Sequence, residues 1–239
     1  MQRDFFTATK GGLIVSCQAL EHEPLHSPFI MSRMAYAAVS GGACGIRANS
    51  VVDILEIQKA VQVPMIGIIK KVYEDSEVYI TPTMVEVDAL VGTGADVISM
   101  DATNRLRPGG VTISDFFKDV RKKYNSQLFM ADCATYEEGC LAEELGFDIV
   151  GTTLSGYTKE TRGNKLPDIP LVERLCRDLK IPVIAEGGIW CPEVLARLFE
   201  IKGLHAAVVG AAITRPNEIT RKFVNALKRE GLENENPDN

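Results

Sequence analysis

VPMIGIIK at residues 63–70 is a short, almost wholly apolar segment that ends in a lysine, and it predicts a buried β-strand. Its apolar character is nearly continuous rather than alternating, which is typical of parallel strands buried on both faces. Seven similar segments recur along the chain: Gly12–Gln18, Gly42–Ala48, Ala95–Asp101, Gln127–Asp132, Phe147–Thr153, Ile181–Glu186 and Ala206–Ala211. Of the eight, Gly42–Ala48 is the weakest, because small residues dominate it.

Amphipathic helical patterns lie between these predicted strands. In one of them Ile54, Ile57 and Val61 fall on the same face, and charged residues fall between them. The clearest patterns span Val51–Val61, Thr83–Thr93, Val111–Tyr124 and Tyr136–Leu145. Alternation of strand and helix predicts right-handed βαβ units, and the repeat of about 30 residues is the length of one such unit.

Eight such units predict a (β/α)8 TIM barrel that forms one domain over residues 1–239, with the polar tail 230–239 frayed. The alternative is a doubly wound open sheet, which usually carries a Gly-x-Gly-x-x-Gly turn after its first strand. The first strand here ends in Ser16–Leu20, which contains no glycine. The sequence therefore favours the barrel.

The composition is that of a globular protein, with 46% hydrophobic and 24% charged residues, a net charge of −6 and a pI of about 5.2. An acidic chain with few clustered cations argues against a nucleic-acid partner. No apolar run approaches the roughly 20 residues of a membrane helix and the first residues lack a signal-peptide core, so we expect a cytoplasmic protein without a membrane partner. The six cysteines form no Cys-x-x-Cys pair and lie at no ligand spacing from a histidine, so we expect neither disulfides nor a metal site.

Polar residues gather where the predicted strands end. In (β/α)8 barrels the chemistry lies at the carboxyl ends of the strands, so these residues form the wall of the candidate site. Asn49 and Asp101 could equally cap the helices that follow. Capping does not explain the long ionisable side chains of Arg47, Lys70 and Glu186, because a buried charge is costly unless it is paired or used. The polar strand-end residues are Gln18, Arg47, Asn49, Lys70, Asp101, Asp132, Thr152, Thr153, Ser155 and Glu186.

Lys70 is the candidate acid/base group. Desolvation at the end of its strand and the positive charge of Arg47 would both lower its pKa. The neutral amine could then act as a general base or as a Schiff-base nucleophile. Two alternatives are a structural ion pair of Lys70 with Glu186 or Asp132, and an exchange of roles with Lys71, which points the other way along the strand.

Small residues follow the seventh and eighth strands, in Ala185–Ile189 and Val209–Ile213. They allow backbone N–H groups to approach an anion closely, and barrels frequently bind phosphate at this place. Arg215 could add a charge-assisted contact to the same anion. The alternative is that these glycines only form tight turns.

Eight segments at these positions are characteristic in combination: Ser16–Leu20, Gly45–Asn49, Ile66–Lys70, Tyr79–Thr83, Met130–Asp132, Gly151–Thr158, Ala185–Gly187 and Ala212–Pro216. Together they closely resemble the N-acetylmannosamine-6-phosphate 2-epimerase family of bacterial sialic acid degradation, over residues 10–225. The resemblance implies a phosphate-binding (β/α)8 barrel that interconverts N-acetylmannosamine 6-phosphate and N-acetylglucosamine 6-phosphate. It also implies that the enzyme needs no metal and no organic cofactor.

The resemblance implies roles for individual residues as well. Lys70 looks like the catalytic acid/base lysine of the family, and Glu186 like its essential carboxylate. The candidate substrate-binding side chains are Gln18, Arg47, Asp132 and Thr153. The candidate phosphate-binding positions are Gly187, Gly188, Gly210 and Arg215. Gly188 departs from the pattern, because some members of the family carry a lysine there, and this leaves the detail of the phosphate contacts open.

Inversion at C2 of an N-acetyl sugar requires loss of a proton that becomes acidic in the open-chain aldehyde, where it lies next to a carbonyl. We expect Lys70 to remove it and Arg47, with Gln18, to stabilise the enolate. Glu186 is the first candidate to return a proton on the opposite face, Asp132 the second, and a substrate hydroxyl is a further alternative. Two rival functions are a Schiff-base aldolase and a sugar-phosphate sensor without turnover. Apolar helix faces are compatible with a homodimer.

Overall fold

Eight parallel strands close into a barrel in the computed structural model, which describes residues 4–233, with side chains described as far as residue 227. Neighbouring strands pair in chain order, and β8 returns to pair with β1. The (β/α)8 barrel is therefore confirmed and the open sheet is excluded. The strands are β1 Gly12–Cys17, β2 Gly45–Asn49, β3 Met65–Ile68, β4 Val97–Asp101, β5 Leu128–Asp132, β6 Ile149–Gly151, β7 Val183–Glu186 and β8 Leu204–Val209.

Helices follow the strands and cover the outside of the barrel. Local capping explains why two of them begin where they do: Thr83 and Thr135 each form a capping box with the glutamate three residues later. The α-helices are α1 Phe5–Thr9, α2 Pro28–Ser40, α3 Val51–Ala60, α4 Met84–Val91, α5 Ile113–Lys123, α6 Tyr136–Leu145, α7 Ile169–Asp178, α8 Pro192–Phe199, α9 Ala211–Thr214 and α10 Pro216–Glu233. The predicted helices α3, α4, α5 and α6 are confirmed, with small differences at their ends.

Alternation along the strands decides which side chains enter the barrel. Successive residues of a strand point to opposite faces, so positions two apart share a face. The interior cluster contains Ile14, Ile66, Val97, Met130, Ile149, Ile184, Ala206 and Val208, and Phe5 of α1 packs against it. Two or four residues beyond these positions, on the same face, come Gln18, Lys70, Asp132, Thr153, Glu186 and Gly210. The apolar interior thus continues into a polar mouth at the carboxyl ends of the strands.

The last helix, α10, runs on to Glu233 and so includes the first residues of the predicted tail 230–239. Residues 234–239 of that tail lie outside the described residues. Within the described part of the chain, no helix combines the length and the apolar character that crossing a membrane requires.

Candidate active site

A cavity of about 220 Å³ opens at the carboxyl ends of the strands. The structure brings together here every predicted site residue except Asp132, which is fully buried and does not line the cavity. The predicted residues in its wall are Gln18, Arg47, Lys70, Thr153, Glu186, Gly187, Gly188, Gly210 and Arg215.

Arg47 is the electrostatic centre of the site, although it is 1% exposed. Its Nη1 and Nη2 donate to the Oδ1 and Oδ2 of Asp132 at 3.1 and 2.7 Å, and Nη1 lies 3.2 Å from Glu186 Oε2. Burial opposes the charge of the guanidinium, but the two carboxylates more than offset it and raise the pKa of Arg47 above its ordinary value. Arg47 is therefore a fixed cation in the wall of the cavity.

Lys70 follows β3 and is held by its backbone, because its N–H donates to Asn49 Oδ1 at 2.7 Å. In the part of the chain that the structure describes, its Nζ has no carboxylate partner, since Arg47 takes both Asp132 and Glu186. Burial, followed by the charge of Arg47, lowers the pKa of Lys70 to about 8. Close to neutral pH this amine can therefore both lose and accept a proton.

Glu186 is the last residue of β7 and shares the cavity with Lys70. Its Oε2 accepts from Thr153 Oγ1 at 3.1 Å and from Arg47. Burial raises the pKa of Glu186, and the negative charge of Asp132 adds to this, while Arg47, Thr153 and Lys70 act against it. Asp132 uses its carboxylate for Arg47 and Thr153, so direct contact between Asp132 and substrate stays a prediction.

Three buried side-chain atoms lack a hydrogen-bond partner within the described residues: Gln18 Oε1, Arg47 Nε and Arg215 Nε. All three residues line this one cavity. A buried polar group without a partner costs free energy, and native structures satisfy nearly all of them. Their collection in one place indicates a polar ligand that completes them.

Another part of the cavity wall is made of backbone. In residues 4–233, no acceptor takes the N–H groups of Gly187, Gly188, Gly210 or Ala211. Gly187 and Gly188 have positive φ angles of 106° and 71°, which glycine adopts readily. A side chain at position 188 would overlap Leu166, which gives the departure at Gly188 a packing reason. Free amides in such turns favour an anion.

Arg215 lines the same cavity and forms an ion pair with Glu23 of the loop after β1. Sequence reasoning missed Glu23, and it also missed Tyr79 and Trp190, which line the same cavity. All three lie in loops, where side chains follow no period that points them inward. For Glu23 and Trp190 the available signal was their position shortly after the predicted strands, and for Tyr79 it was the characteristic segment Tyr79–Thr83.

The remaining candidates at the strand ends lie outside the cavity. Lys71 faces α4, with its Nζ 3.4 Å from Glu86 Oε1, and it does not line the cavity. The alternative in which Lys71 takes the place of Lys70 is therefore not supported by the structure. Asn49 does not cap α3, because Ser50 does so, and Asp101 pairs with Arg105 at 2.6 Å. Among the described residues, no three metal-binding side chains come together.

The comparisons with known proteins identify the family. The family described as "Putative N-acetylmannosamine-6-phosphate epimerase" matches residues 31–229. The chain belongs to this family. A relative from Caldanaerobacter subterraneus subsp. tengcongensis, named "Putative N-acetylmannosamine-6-phosphate 2-epimerase", is 54% identical over 234 residues, which are 98% of each chain. A relative of the same name from Clostridioides difficile is 56% identical over 92% of this chain and 97% of its own.

A solved structure extends the agreement to the fold. The N-acetylmannosamine-6-phosphate 2-epimerase from Clostridium perfringens superposes with a TM-score of 0.89 at 50% identity, covering 95% of this chain and 97% of its own. The family resemblance seen in the eight segments is thus confirmed. Of the predicted site residues, all but Gln18 fall within the range that the epimerase family matches.

Proposed function

We propose that this chain is an isomerase that interconverts N-acetylmannosamine 6-phosphate and N-acetylglucosamine 6-phosphate by inverting C2. One observation carries the proposal: a lysine amine, which has no carboxylate partner among the described residues, and a carboxyl group share a small cavity with a set of backbone amides that suit an anion. Membership of the epimerase family supports the choice of substrate. On the family resemblance of the sequence, we propose that the reaction belongs to the degradation of sialic acid.

The first step is proton removal from C2 of the open-chain sugar. The C2–H bond breaks, the proton goes to the neutral Nζ of Lys70, and the bonding electron pair moves onto the carbonyl oxygen to give an enolate. Lys70 suits this role because its lowered pKa leaves a fraction of neutral amine at neutral pH. Arg47 and the amide of Gln18 supply charge and hydrogen bonds to the enolate oxygen.

The second step returns a proton to the other face of C2. Glu186 is our candidate, because burial raises the pKa of its carboxyl group and so favours the protonated form that can donate. Asp132 is a weaker candidate, since it is fully buried and already bonded to Arg47 and Thr153. A substrate hydroxyl is the remaining alternative.

The phosphate is bound away from the reacting carbon. The amides of Gly187, Gly188, Gly210 and Ala211, which have no acceptor among the described residues, would receive it, and Arg215 would add a charged contact. Binding energy at this distant group holds the flexible open chain in a reactive geometry. We therefore expect the dephosphorylated sugar to lose turnover as well as affinity.

Turnover in deuterium oxide, followed by proton NMR, tests the proposal directly. Starting from N-acetylmannosamine 6-phosphate, we expect N-acetylglucosamine 6-phosphate to form with deuterium at C2. Product without deuterium at C2 would count against deprotonation, and absence of product would rule out the epimerase. Because the mechanism uses no metal, activity should survive exhaustive chelation, and a loss that added metal reverses would contradict it.

A Schiff-base aldolase is the second candidate, because a lysine with a pKa of about 8 is also a competent amine nucleophile. Reduction with borohydride in the presence of substrate separates the two functions. Covalent trapping of sugar on Lys70, seen by mass spectrometry, would favour the aldolase. We expect no trapped adduct.

A further inference from the structure

The hydroxyl group of Thr153 lies between the two carboxylates of the site. Its Oγ1 is 2.6 Å from Asp132 Oδ1 and 3.1 Å from Glu186 Oε2. Arg47 Nη1 contacts the same two oxygens, at 3.1 and 3.2 Å. Arginine and threonine thus bridge one oxygen of each carboxylate from two sides, and the four groups form a closed ring.

Hydrogen bonds to the backbone of Glu186 hold this ring of side chains in place. Thr152 Oγ1 donates to the carbonyl of Glu186 at 2.9 Å and accepts its N–H at 3.0 Å, which fixes the start of the β6–α7 loop against the end of β7. Gly151 lies beneath the ring, where a Cβ would be 3.2 Å from Thr153 Oγ1 and would overlap Met130. A glycine at this position leaves the space that the side chains of Met130, Thr153 and Asp132 occupy.

The two bridging groups differ in what they offer Glu186. Arginine has donors and no acceptor, so Arg47 stabilises Glu186 only while it is ionised. A hydroxyl is both donor and acceptor. Thr153 can donate to the ionised carboxylate, and it can accept from the protonated carboxyl while donating its own proton to Asp132.

We propose that Thr153 is a positioning residue for Glu186, and that its hydroxyl, which the two carboxylates share, donates to Asp132 alone and accepts from Glu186 when Glu186 takes up a proton. The inference rests on the proposed function, in which Glu186 alternately holds and releases a proton. A carrier of this kind needs a hydrogen-bond partner in both protonation states, and Thr153 supplies it without moving the backbone.

The charged and titratable groups around Glu186 set the direction of the expected effect. Arg47 and Lys70 favour its ionised form and Asp132 disfavours it. Tyr79, whose pKa is raised by burial, lines the same cavity from the loop after β3. The bond from Thr153 lowers the pKa of Glu186. Loss of the hydroxyl should therefore raise this pKa further above its ordinary value.

Steady-state kinetics of Thr153→Val and Thr153→Ser against pH test the proposal. Valine keeps the shape and removes the hydroxyl, so we expect kcat to fall on the order of tenfold to a hundredfold and the acidic limb of the profile to move to higher pH. Serine keeps the hydroxyl and should retain the wild-type limb. Thr93→Val is the matched control, because Thr93 is a buried threonine bonded to Leu90 outside the cavity, and its profile should stay unchanged.

Two results would overturn the proposal. A rise in KM alone in Thr153→Val, with kcat and the acidic limb unchanged, would make Thr153 a substrate contact only. An equal loss in Thr153→Ser would show that the methyl group matters and the hydroxyl does not.

A readout independent of turnover separates this proposal from the proposed function. Carbon-13 NMR of glutamate carboxyl groups, with Glu186→Gln to assign the signal, measures the pKa of Glu186 in a protein of any activity. We expect that pKa to rise in Thr153→Val and to stay in place in Thr153→Ser. An unshifted signal in Thr153→Val contradicts the proposal even if the wild-type chain epimerises, and a shifted one supports it even if the chain does not.

Discussion

Two buried guanidinium groups of the same barrel have very different surroundings. The Arg47 cluster, which comprises Arg47, Asp132, Thr153 and Glu186, pairs its arginine with two carboxylates. The Arg107 cluster, which comprises Thr81, Pro82, Asp101 and Arg107, satisfies its arginine with backbone carbonyls: Nη1 donates to Thr81 and Pro82 at 3.0 and 2.8 Å, and Nη2 donates to Asp101. Both arginines are at most 2% exposed.

The two clusters differ in whether all their buried side-chain atoms have a hydrogen-bond partner. Within the described residues, the Arg107 cluster contains no buried side-chain atom that lacks a partner, whereas the Nε of Arg47 lacks one, and Arg47 is a residue of the cavity wall. Thr81 has a positive φ of 46° and is fully buried, held by its Oγ1 bond to the carbonyl of Ser99 at 2.7 Å. The Arg107 cluster thus serves to hold the β3–α4 loop in a strained shape, and the Arg47 cluster is left open for a ligand.

The largest effect that would sharpen this comparison is expected at Lys70. Replacing Lys70 by methionine removes the proposed base and should lower kcat by about 10²- to 10⁴-fold, the range of general acid–base catalysis. Because burial already disfavours its charge, the substitution should leave the protein at least as resistant to urea at pH 7. Enzyme kinetics and urea unfolding on the same preparation measure both quantities. Retention of most of the wild-type rate would remove Lys70 from the mechanism.

Arg107→Met should give the opposite result. It leaves the carbonyls of Thr81, Pro82 and Asp101 without their donor, and each unsatisfied buried acceptor costs free energy. We expect a loss of about 3 kcal/mol in the free energy of unfolding, measured by urea denaturation. Turnover per folded molecule should fall far less than in Lys70→Met. If both variants lose activity and stability together, the two clusters do not divide their roles as described.

The barrel was predictable because its signal is repeated and local. Each strand is a short apolar run, and the ends of the predicted strands fell within a few residues of the observed ones. Helix α2 was not identified from its pattern, since its buried face consists of Met31, Ser32 and Ala35, which form no strong apolar stripe. The burial of Phe5 against the barrel floor is a tertiary contact that no local pattern reports.

The candidate site was predictable only as far as strand periodicity reaches. Residues at the strand ends entered the cavity because positions two apart share a face. Strand periodicity did not predict which cation pairs with Asp132 and Glu186. The choice between Lys70 and Arg47 depends on the register of the strands and on the reach of each side chain across the barrel. Glu23 and Tyr79 reach the cavity from loops, whose shape the sequence pattern does not encode.

The pH dependence of turnover gives a smaller and graded effect. The reactive form holds one proton on the pair of Lys70 and Glu186, whichever of the two carries it, so kcat/KM should be bell-shaped. The basic limb should fall near pH 8, where Lys70 loses its proton, and the acidic limb should lie above the ordinary range of a glutamate because burial raises the pKa of Glu186. Beyond each limb the rate should fall about tenfold per pH unit. A profile that stays flat from pH 6 to 9 would contradict the assignment of Lys70.

The same profile separates the two arginine clusters. Burial lowers the pKa of Arg107 to about 10, which still lies well above the expected basic limb. The residual activity of Arg107→Met should therefore keep the wild-type limbs. A shift of its basic limb would mean that Arg107 acts on Lys70, and the clusters would then be coupled.

The smallest effect is expected at Lys71, the neighbour of the proposed base. Its side chain is half exposed and faces Glu86 and the ring of Tyr73, on the other side of the strand from the cavity. Lys71→Met should leave kcat, KM and the pH profile at wild-type values, because surface ion pairs contribute little and no part of the cavity wall changes. The two adjacent lysines thus provide an internal test of the barrel geometry, since only the alternation of side chains in the extended segment after β3 distinguishes them. If Lys71→Met were as inactive as Lys70→Met, the assignment of Lys70 to the inward face of this segment would be wrong. The proposed chemistry would then fail as well, because it depends on an amine and a carboxyl group in the same cavity.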